Sequence, residues 1–362
     1  MKRLLFFGIA LSAIVSLTCC TDDDDTTQGR WYVKSDFDGP ARSLACSFTI
    51  GSKGYLSCGF RGANKAYFND LWVYDMDGNY WTQLSDLPDE IDGTAGGRYG
   101  GVGFAIGSKG YITTGCTKDG SDRTFRKDTW EYNPNTDTWT RVDDFPGLER
   151  TGAVAFVLND IAYVGTGFND DSDNDNTYRK DFYAFDPTAS EGNQWTTLDG
   201  FPGKKRRYAT AFVIDDEAYL CTGQSNNELC TDFYKFDGST WTRLRDIADT
   251  DDDEDYDDDY AISRYGAVSF VIDGNAYVAT GYRSGVCNDY WKYVPSKDLW
   301  YGDSDDDYTK LSDVYDAGSG GSSRVYAVSF STGERGFILT GESGDTYLDD
   351  MYELSPDEEQ DV

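Results

Sequence analysis

Three short patterns of apolar and polar positions recur along the chain. AVSFVI, AYVAT and DFYKF each show one. All are brief, rich in β-branched and aromatic residues, and punctuated by Gly, Asn, Asp or Pro, so they predict strands rather than helices. The first two belong to a longer skeleton: Arg, a small residue at +3, Phe at +6, an aromatic at +13 and Gly at +17. It occurs six times without an internal gap, starting at Arg42, Arg98, Arg150, Arg206, Arg264 and Arg324. The copies begin 52 to 60 residues apart, the signature of a repeat architecture.

Each copy has a second half. An Asp opens it (Asp70, Asp128, Asp181, Asp232, Asp289, Asp350), and an aromatic comes two residues later. A turn and a Trp come next: Trp81, Trp139, Trp195, Trp241 and Trp300. The sixth copy lacks this Trp, but Trp31 lies 11 residues before Arg42, just as Trp139 lies 11 before Arg150. The chain therefore opens with the last quarter of a repeat. With four strands per repeat (a, the Phe run; b, the Tyr run; c, the Asp-aromatic run; d, the Trp run), the expected fold is all-β. It is a six-bladed β-propeller of four-stranded blades, its ring closed by the N-terminal strand, which also hides a sheet edge. The small residue in strand a suits the crowded axis, and the aromatics fill the spaces between blades.

This pattern resembles the Kelch repeat, from Trp31 to Leu354. It departs at the end of strand b, where Kelch repeats carry a Gly pair and this chain carries Thr or another side chain before the Gly, as in Thr166-Gly167 and Thr280-Gly281. The resemblance implies the propeller fold and does not choose among adaptors, sugar-active enzymes and adhesins.

The N-terminus reads MKRLLFFGIALSAIVSLTCC. Lys2 and Arg3 precede an apolar run of 12, Leu4 to Val15, the form of a signal peptide and too short to span a bilayer as a helix. LTCC resembles a bacterial lipoprotein box, with Cys20 as the lipidated residue and Cys19 as the other possibility. The acidic run after it resembles the surface-export signal of Bacteroidetes lipoproteins. The expected organisation is a lipoprotein signal peptide (1–19), an acidic tether (20–30), the propeller (31–354) and an acidic tail (355–362). The expected location is the bacterial outer membrane, lipid-anchored and exposed at the cell surface.

A net charge of −33 argues against nucleic acid and against direct contact with an anionic membrane, leaving the lipid as the membrane attachment. Of the six cysteines past LTCC, Cys221 and Cys230 flank one b–c loop and are the best disulfide pair. There is no His, which excludes Ser-His-Asp and Cys-His catalysis and imidazole metal sites. Carboxylates, Tyr and Arg leave epimerase-like or glycosidase-like chemistry open.

Strand alternation puts the long b–c loops and d–a connectors on one face, where function is expected. Asp171, Asp173 and Asp175 alternate there in a spacing suited to Ca²⁺, or form a solvated loop, as the acidic runs 249–260 and 303–307 also would. The six repeat arginines start strand a on this face, and a ring of them would suit a carboxylate or sulfate. Each repeat also puts an Asp there, so structural ion pairs are the heavier reading. Tyr99 and Tyr265, beside two of these arginines, are candidates for stacking on sugars. The expected function is a monomeric, surface-tethered module binding glycan. The alternatives are a sugar-active enzyme of mutarotase or epimerase type, and an adhesin or scaffold for an extracellular protein.

Overall fold

The computed structural model describes residues 26–62, 66–88, 90–91, 94–95, 97–119, 122–170, 177–250, 260–302 and 323–361. Six four-stranded antiparallel sheets account for the repeats, each ordered a-b-c-d. In blade one these strands are Cys46–Ile50, Lys53–Ser57, Leu71–Asp75 and Tyr80–Leu84. In blade six, strand d is Thr26–Val33, drawn from the other end of the chain and paired with Met351–Asp361. Trp31 lies opposite Leu354 in that ladder and packs edge-on to Tyr290 of blade five at 5.5 Å. The ladder runs past the expected boundaries. Residues of the expected tether and tail continue it through a bulge between Gln28 and Arg30, to the pair Gln28 and Glu359 and beyond. Tyr32 helps hold this extension, its hydroxyl donating to Glu358 at 2.5 Å.

Packing repeats with the sequence. Within a blade, the Phe of strand a stacks on the Tyr of strand b, as Phe48 on Tyr55 and Phe156 on Tyr163. Each stack then meets an aromatic of the next blade: Tyr163 touches Phe236, and Tyr219 touches Tyr293. Such edge and tilted contacts add to the burial that dominates the core.

Two closed circles of backbone hydrogen bonds join the blades. In the outer one, the glycine after strand b donates to the carbonyl of the next blade's repeat Arg. The six bonds, from Gly59→Arg98 to Gly341→Arg42, measure 2.7–2.8 Å. The inner circle links the residues two places after each Arg. Leu44, Gly100, Gly152, Tyr208, Gly266 and Tyr326 each donate to the previous member at 2.7–3.0 Å, and Leu44 closes onto Tyr326. All six have positive φ, between 54° and 64°.

The Thr-Gly divergence has a physical counterpart. The residue before the glycine is left-handed in every blade, with φ between 57° and 64° at Cys58, Thr114, Thr166, Thr222, Thr280 and Thr340. Its carbonyl thereby faces the blade's own arginine and accepts from Nη1 at 2.9–3.1 Å in all six. A β-branched residue is costly there, by roughly 1–2 kcal/mol. A Gly pair would avoid that cost.

Candidate functional site: the tyrosine-lined mouth of the channel

Arg42, Arg98, Arg150, Arg206, Arg264 and Arg324 are all 0% exposed. Each pairs with the Asp that opens strand c of its own blade: Arg42 with Asp70, Arg98 with Asp128, Arg150 with Asp181, Arg206 with Asp232, Arg264 with Asp289 and Arg324 with Asp350, all at 2.5–2.8 Å. With the Nη1 bond to strand b, each guanidinium staples the start of a, the end of b and the start of c. These six side chains therefore do not form an open ring for an anion. Their donors are consumed inside the blades.

The residues one and two places after each Arg build the mouth of the channel. At +2, three glycines alternate unevenly with Leu44, Tyr208 and Tyr326. The glycines make room for the tyrosines: a Cβ on Gly152 would come within 2.8 Å of the Tyr208 ring, and one on Gly266 within 2.7 Å of Tyr326. The Tyr208 and Tyr326 rings meet at 4.9 Å and cover a channel cavity of about 110 Å³. At +1, Ser43, Tyr99, Thr151, Arg207, Tyr265 and Val325 bridge to the first b–c residues Phe60, Cys116, Phe168, Gln224, Tyr282 and Glu342. These pairs wall the mouth. Tyr99 stacks on Tyr67 at 5.7 Å and Tyr265 on Tyr282 at 5.3 Å, so both expected tyrosines stand at the mouth, half-buried.

Arg207 is the one repeat +1 residue carrying a charge. Its guanidinium lies 4.8 Å from the Phe168 ring and 5.2 Å from Tyr208, and Nη2 donates to the Gln224 amide oxygen at 3.1 Å. Its buried Nε has no hydrogen-bond partner, and among the described residues no carboxylate pairs with it. Nearby, Arg123 pairs with Asp170 at 2.5 Å. Glu342 accepts from the Ser43 hydroxyl at 2.7 Å. Burial pushes the Glu342 carboxyl above the usual carboxylate range and holds the phenols of Tyr99, Tyr208, Tyr265 and Tyr326 above theirs. The tyrosines are thus neutral donors, and the Glu342 carboxyl holds its proton more readily than an exposed one.

Cys19, Cys20, Asp171, Asp173 and Asp175 lie outside the described residues, as do the acidic runs 251–259 and 303–307. Among the described residues, no cluster of His, Cys, Asp or Glu is arranged for a metal. Cys221 and Cys230 are free, buried thiols rather than the expected disulfide. Cys221 faces the core between blades four and five beside the Thr210 hydroxyl, whereas Cys230 lies beyond the intervening hairpin, outside that core cluster. Loop spacing alone did not reveal this. Arg207, Tyr208, Tyr326 and Glu342 were not anticipated either. Their signal was the variation at +1 and +2 inside an otherwise regular repeat.

A family model for the Attractin/LZTR1 β-propeller matches residues 25–291. The chain belongs to that family. As an Attractin/LZTR1-type propeller it is also similar to Kelch-like protein 25 of Xenopus tropicalis, 23% identical over 272 residues. That match covers 74% of this chain and 41% of the relative. It is similar to the N-acetylneuraminate epimerase of Escherichia coli K12, 29% identical over 154 residues, which is 41% of this chain and 35% of that enzyme. The chain therefore matches less than half the length of these relatives. Among solved structures, that titled "Structure of YjhT" superposes with a TM-score of 0.66 at 18% identity, covering 88% of this chain and 95% of the other. The likeness is one of fold.

Proposed function

We propose that this propeller is a binding module for a carboxylate-bearing sugar, held at the channel mouth and displayed from a lipid anchor at the cell surface. The observation that carries the reading is Arg207, a cation without a carboxylate partner among the described residues, braced by aromatic faces at a mouth of neutral tyrosines. A guanidinium recognises a carboxylate through paired hydrogen bonds, and aromatic faces stack on the C–H faces of a sugar ring. The relationship to N-acetylneuraminate epimerase, whose named substrate is an acidic sugar, supports the choice of ligand.

Glu342 favours a second reading, an epimerase or mutarotase, because a carboxyl with raised proton affinity at a binding mouth suits general acid–base work. The test is titration of the protein with N-acetylneuraminate, its neutral analogue and a mixed glycan panel, with and without Ca²⁺, then NMR of the sugar. Binding should be saturable, and Arg207→Gln should weaken it by about 10- to 100-fold, the worth of a hydrogen bond to a charged group. Equal binding by wild type and Arg207→Gln refutes the site. A changed sugar that survives Arg207→Gln but not Glu342→Gln establishes the enzymatic reading. Dependence on Ca²⁺ points to Asp171, Asp173 and Asp175. Silence across the panel favours an extracellular protein partner.

A further inference from the structure

The chain carries 32 basic and 65 acidic residues, so a patch of cations on it calls for a reason. One occurs in a cleft of about 450 Å³ between blades three and four, on the loop face, separated from the Arg207 side of the channel mouth by Tyr178, whose ring lies 5.5 Å from that guanidinium. Arg179, Lys180, Lys204 and Lys205 line it. Among the described residues its one lining carboxylate, Asp181, is already bound to Arg150 at 2.7 and 2.8 Å and to the Tyr183 hydroxyl at 3.1 Å. Nε and Nη2 of Arg179 are buried with no hydrogen-bond partner, a costly state for a cationic donor. Among the described residues, Lys180 and Lys204 make no ion pair.

The backbone that presents these cations is pinned. The Arg179 amide donates to Gly167 at 2.9 Å, and its carbonyl accepts from the Arg206 amide at 3.0 Å. The Lys204 amide donates to Asp232 at 3.0 Å, and its carbonyl accepts from Arg206 Nε at 3.0 Å. The cations are therefore held close together by the same bonds that join the two blades. Their mutual repulsion falls when an anion enters, so a preformed site of this charge favours an oxyanion with more than one acceptor oxygen. On the other side of Gly203 and Lys204 lies a hollow of about 440 Å³, walled by Thr231, Tyr234, Asp232, which is paired with Arg206, and the ion pair of Arg243 with Asp246. It offers room for the group that carries the anion. A long polyanion is disfavoured, because the rest of a surface with net charge −33 repels it.

We infer that this cleft is a second ligand site, for a sulfate or phosphate ester on a small or otherwise neutral sugar. Guanidinium and ammonium donors recognise either ester through the same oxygens, so the test must separate them.

The full chain is titrated calorimetrically, at constant ionic strength, with galactose 6-sulfate, galactose 6-phosphate and unmodified galactose. At least one ester should bind saturably while galactose does not, and the stronger ester identifies the source. Arg179→Gln and Lys204→Gln should each weaken ester binding by about three- to tenfold, the range between an exposed pair and a charged hydrogen bond. Lys180→Gln, on an exposed side chain, provides the same readout if either of those variants misfolds. Three results overturn the inference: no saturable binding of either ester, undiminished binding by the cleft variants, or loss of ester binding in Arg207→Gln alone. The last would place the anion at the channel mouth. Failure of acidic-sugar binding at the mouth, with ester binding intact, would leave the cleft standing.

Discussion

Asp128→Asn and Asp181→Asn make the same chemical change in equivalent places, and the structure separates their costs. Asp128 is 2% exposed beside the fully buried Arg98, whereas the side chain of Asp181 is 37% exposed beside the equally buried Arg150. Asp128 accepts from Arg98 at 2.9 and 2.7 Å and from the Trp130 indole at 2.6 Å. Removing its charge leaves the Arg98 cation without compensation in the blade interior, a loss of about 3–5 kcal/mol. Arg150 is as buried as Arg98, but it keeps its bonds to the Leu148 and Thr166 carbonyls and water reaches the residue 181 side of the broken pair, so the same change there costs about 1 kcal/mol, the low end for removing one partner. With an unfolding entropy of about 2.1 cal/mol/K per residue, Asp128→Asn should lower the melting temperature by about 6 °C and Asp181→Asn by about 1–2 °C. Near-UV circular dichroism near neutral pH reads both, since the interblade aromatics report the melting. A pH series adds a sign test. Burial works against the Asp128 charge, but the Arg98 charge and its hydrogen bonds outweigh that and hold the carboxyl below the usual range. A depressed carboxylate contributes stability above its unfolded value, about 3.9, and loses it as pH falls through the folded value. The gap between wild type and Asp128→Asn should therefore be full near neutrality and close under acid below about pH 4. Equal losses for the two variants, or a gap that widens in acid, would refute the argument.

The same geometry sets three further outcomes. Trp31→Ala should cost about 3–5 kcal/mol and open the seam between blades five and six, read as a lower denaturation midpoint and as concentration-dependent self-association in sedimentation, because it loosens the strand covering an edge. Gly167→Ala should cost about 1–3 kcal/mol in chemical denaturation, since φ is +103° there and the new Cβ would lie 3.0 Å from the Thr151 carbonyl. Thr280→Gly should stabilise the fold by roughly 1 kcal/mol and so raise the denaturation midpoint, because it removes a left-handed β-branched residue and a buried hydroxyl without a partner, against a smaller entropic loss. A lower midpoint for Thr280→Gly would show that its hydroxyl is engaged after all.

The blades were legible because period-two patterning and a gapless skeleton repeat the same constraints six times, and closure was legible from one displaced Trp. The role of the repeat arginines could be narrowed only by noticing that an Asp recurs with each. The choice between ligand and staple needed burial, which the alternation of residues does not encode. The Cys221–Cys230 expectation failed for a related reason: proximity along a hairpin does not determine which core each thiol enters. The ladder beyond Trp31 and Leu354 was missed because its polar residues carry no alternation to mark a strand. The mouth was invisible because a repeat reading averages over the positions that build it.

Those positions yield to a different comparison. Six equivalent blades make every residue one of a set of six, and invariance within a set points to the scaffold. The arginine and its Asp never vary, and both are spent on holding blades. The residue two places on is left-handed in all six blades, so its backbone is also scaffold, yet its side chain is Gly three times and Leu44, Tyr208 or Tyr326 otherwise. Non-glycine residues are costly in that conformation, by about 1–3 kcal/mol each, so local backbone preference does not account for them. They fill the channel mouth instead. One residue earlier the set reads Ser43, Tyr99, Thr151, Arg207, Tyr265 and Val325, with no shared property except the bridge its backbone makes. The position two before the strand-c Asp behaves likewise, running through Phe68, Arg126, Arg179, Cys230, Cys287 and Leu348. The ring is symmetric where it carries load between blades and asymmetric at the positions that line the channel mouth and open the b–c crossings, and Arg207 and Arg179 both fall in the asymmetric sets.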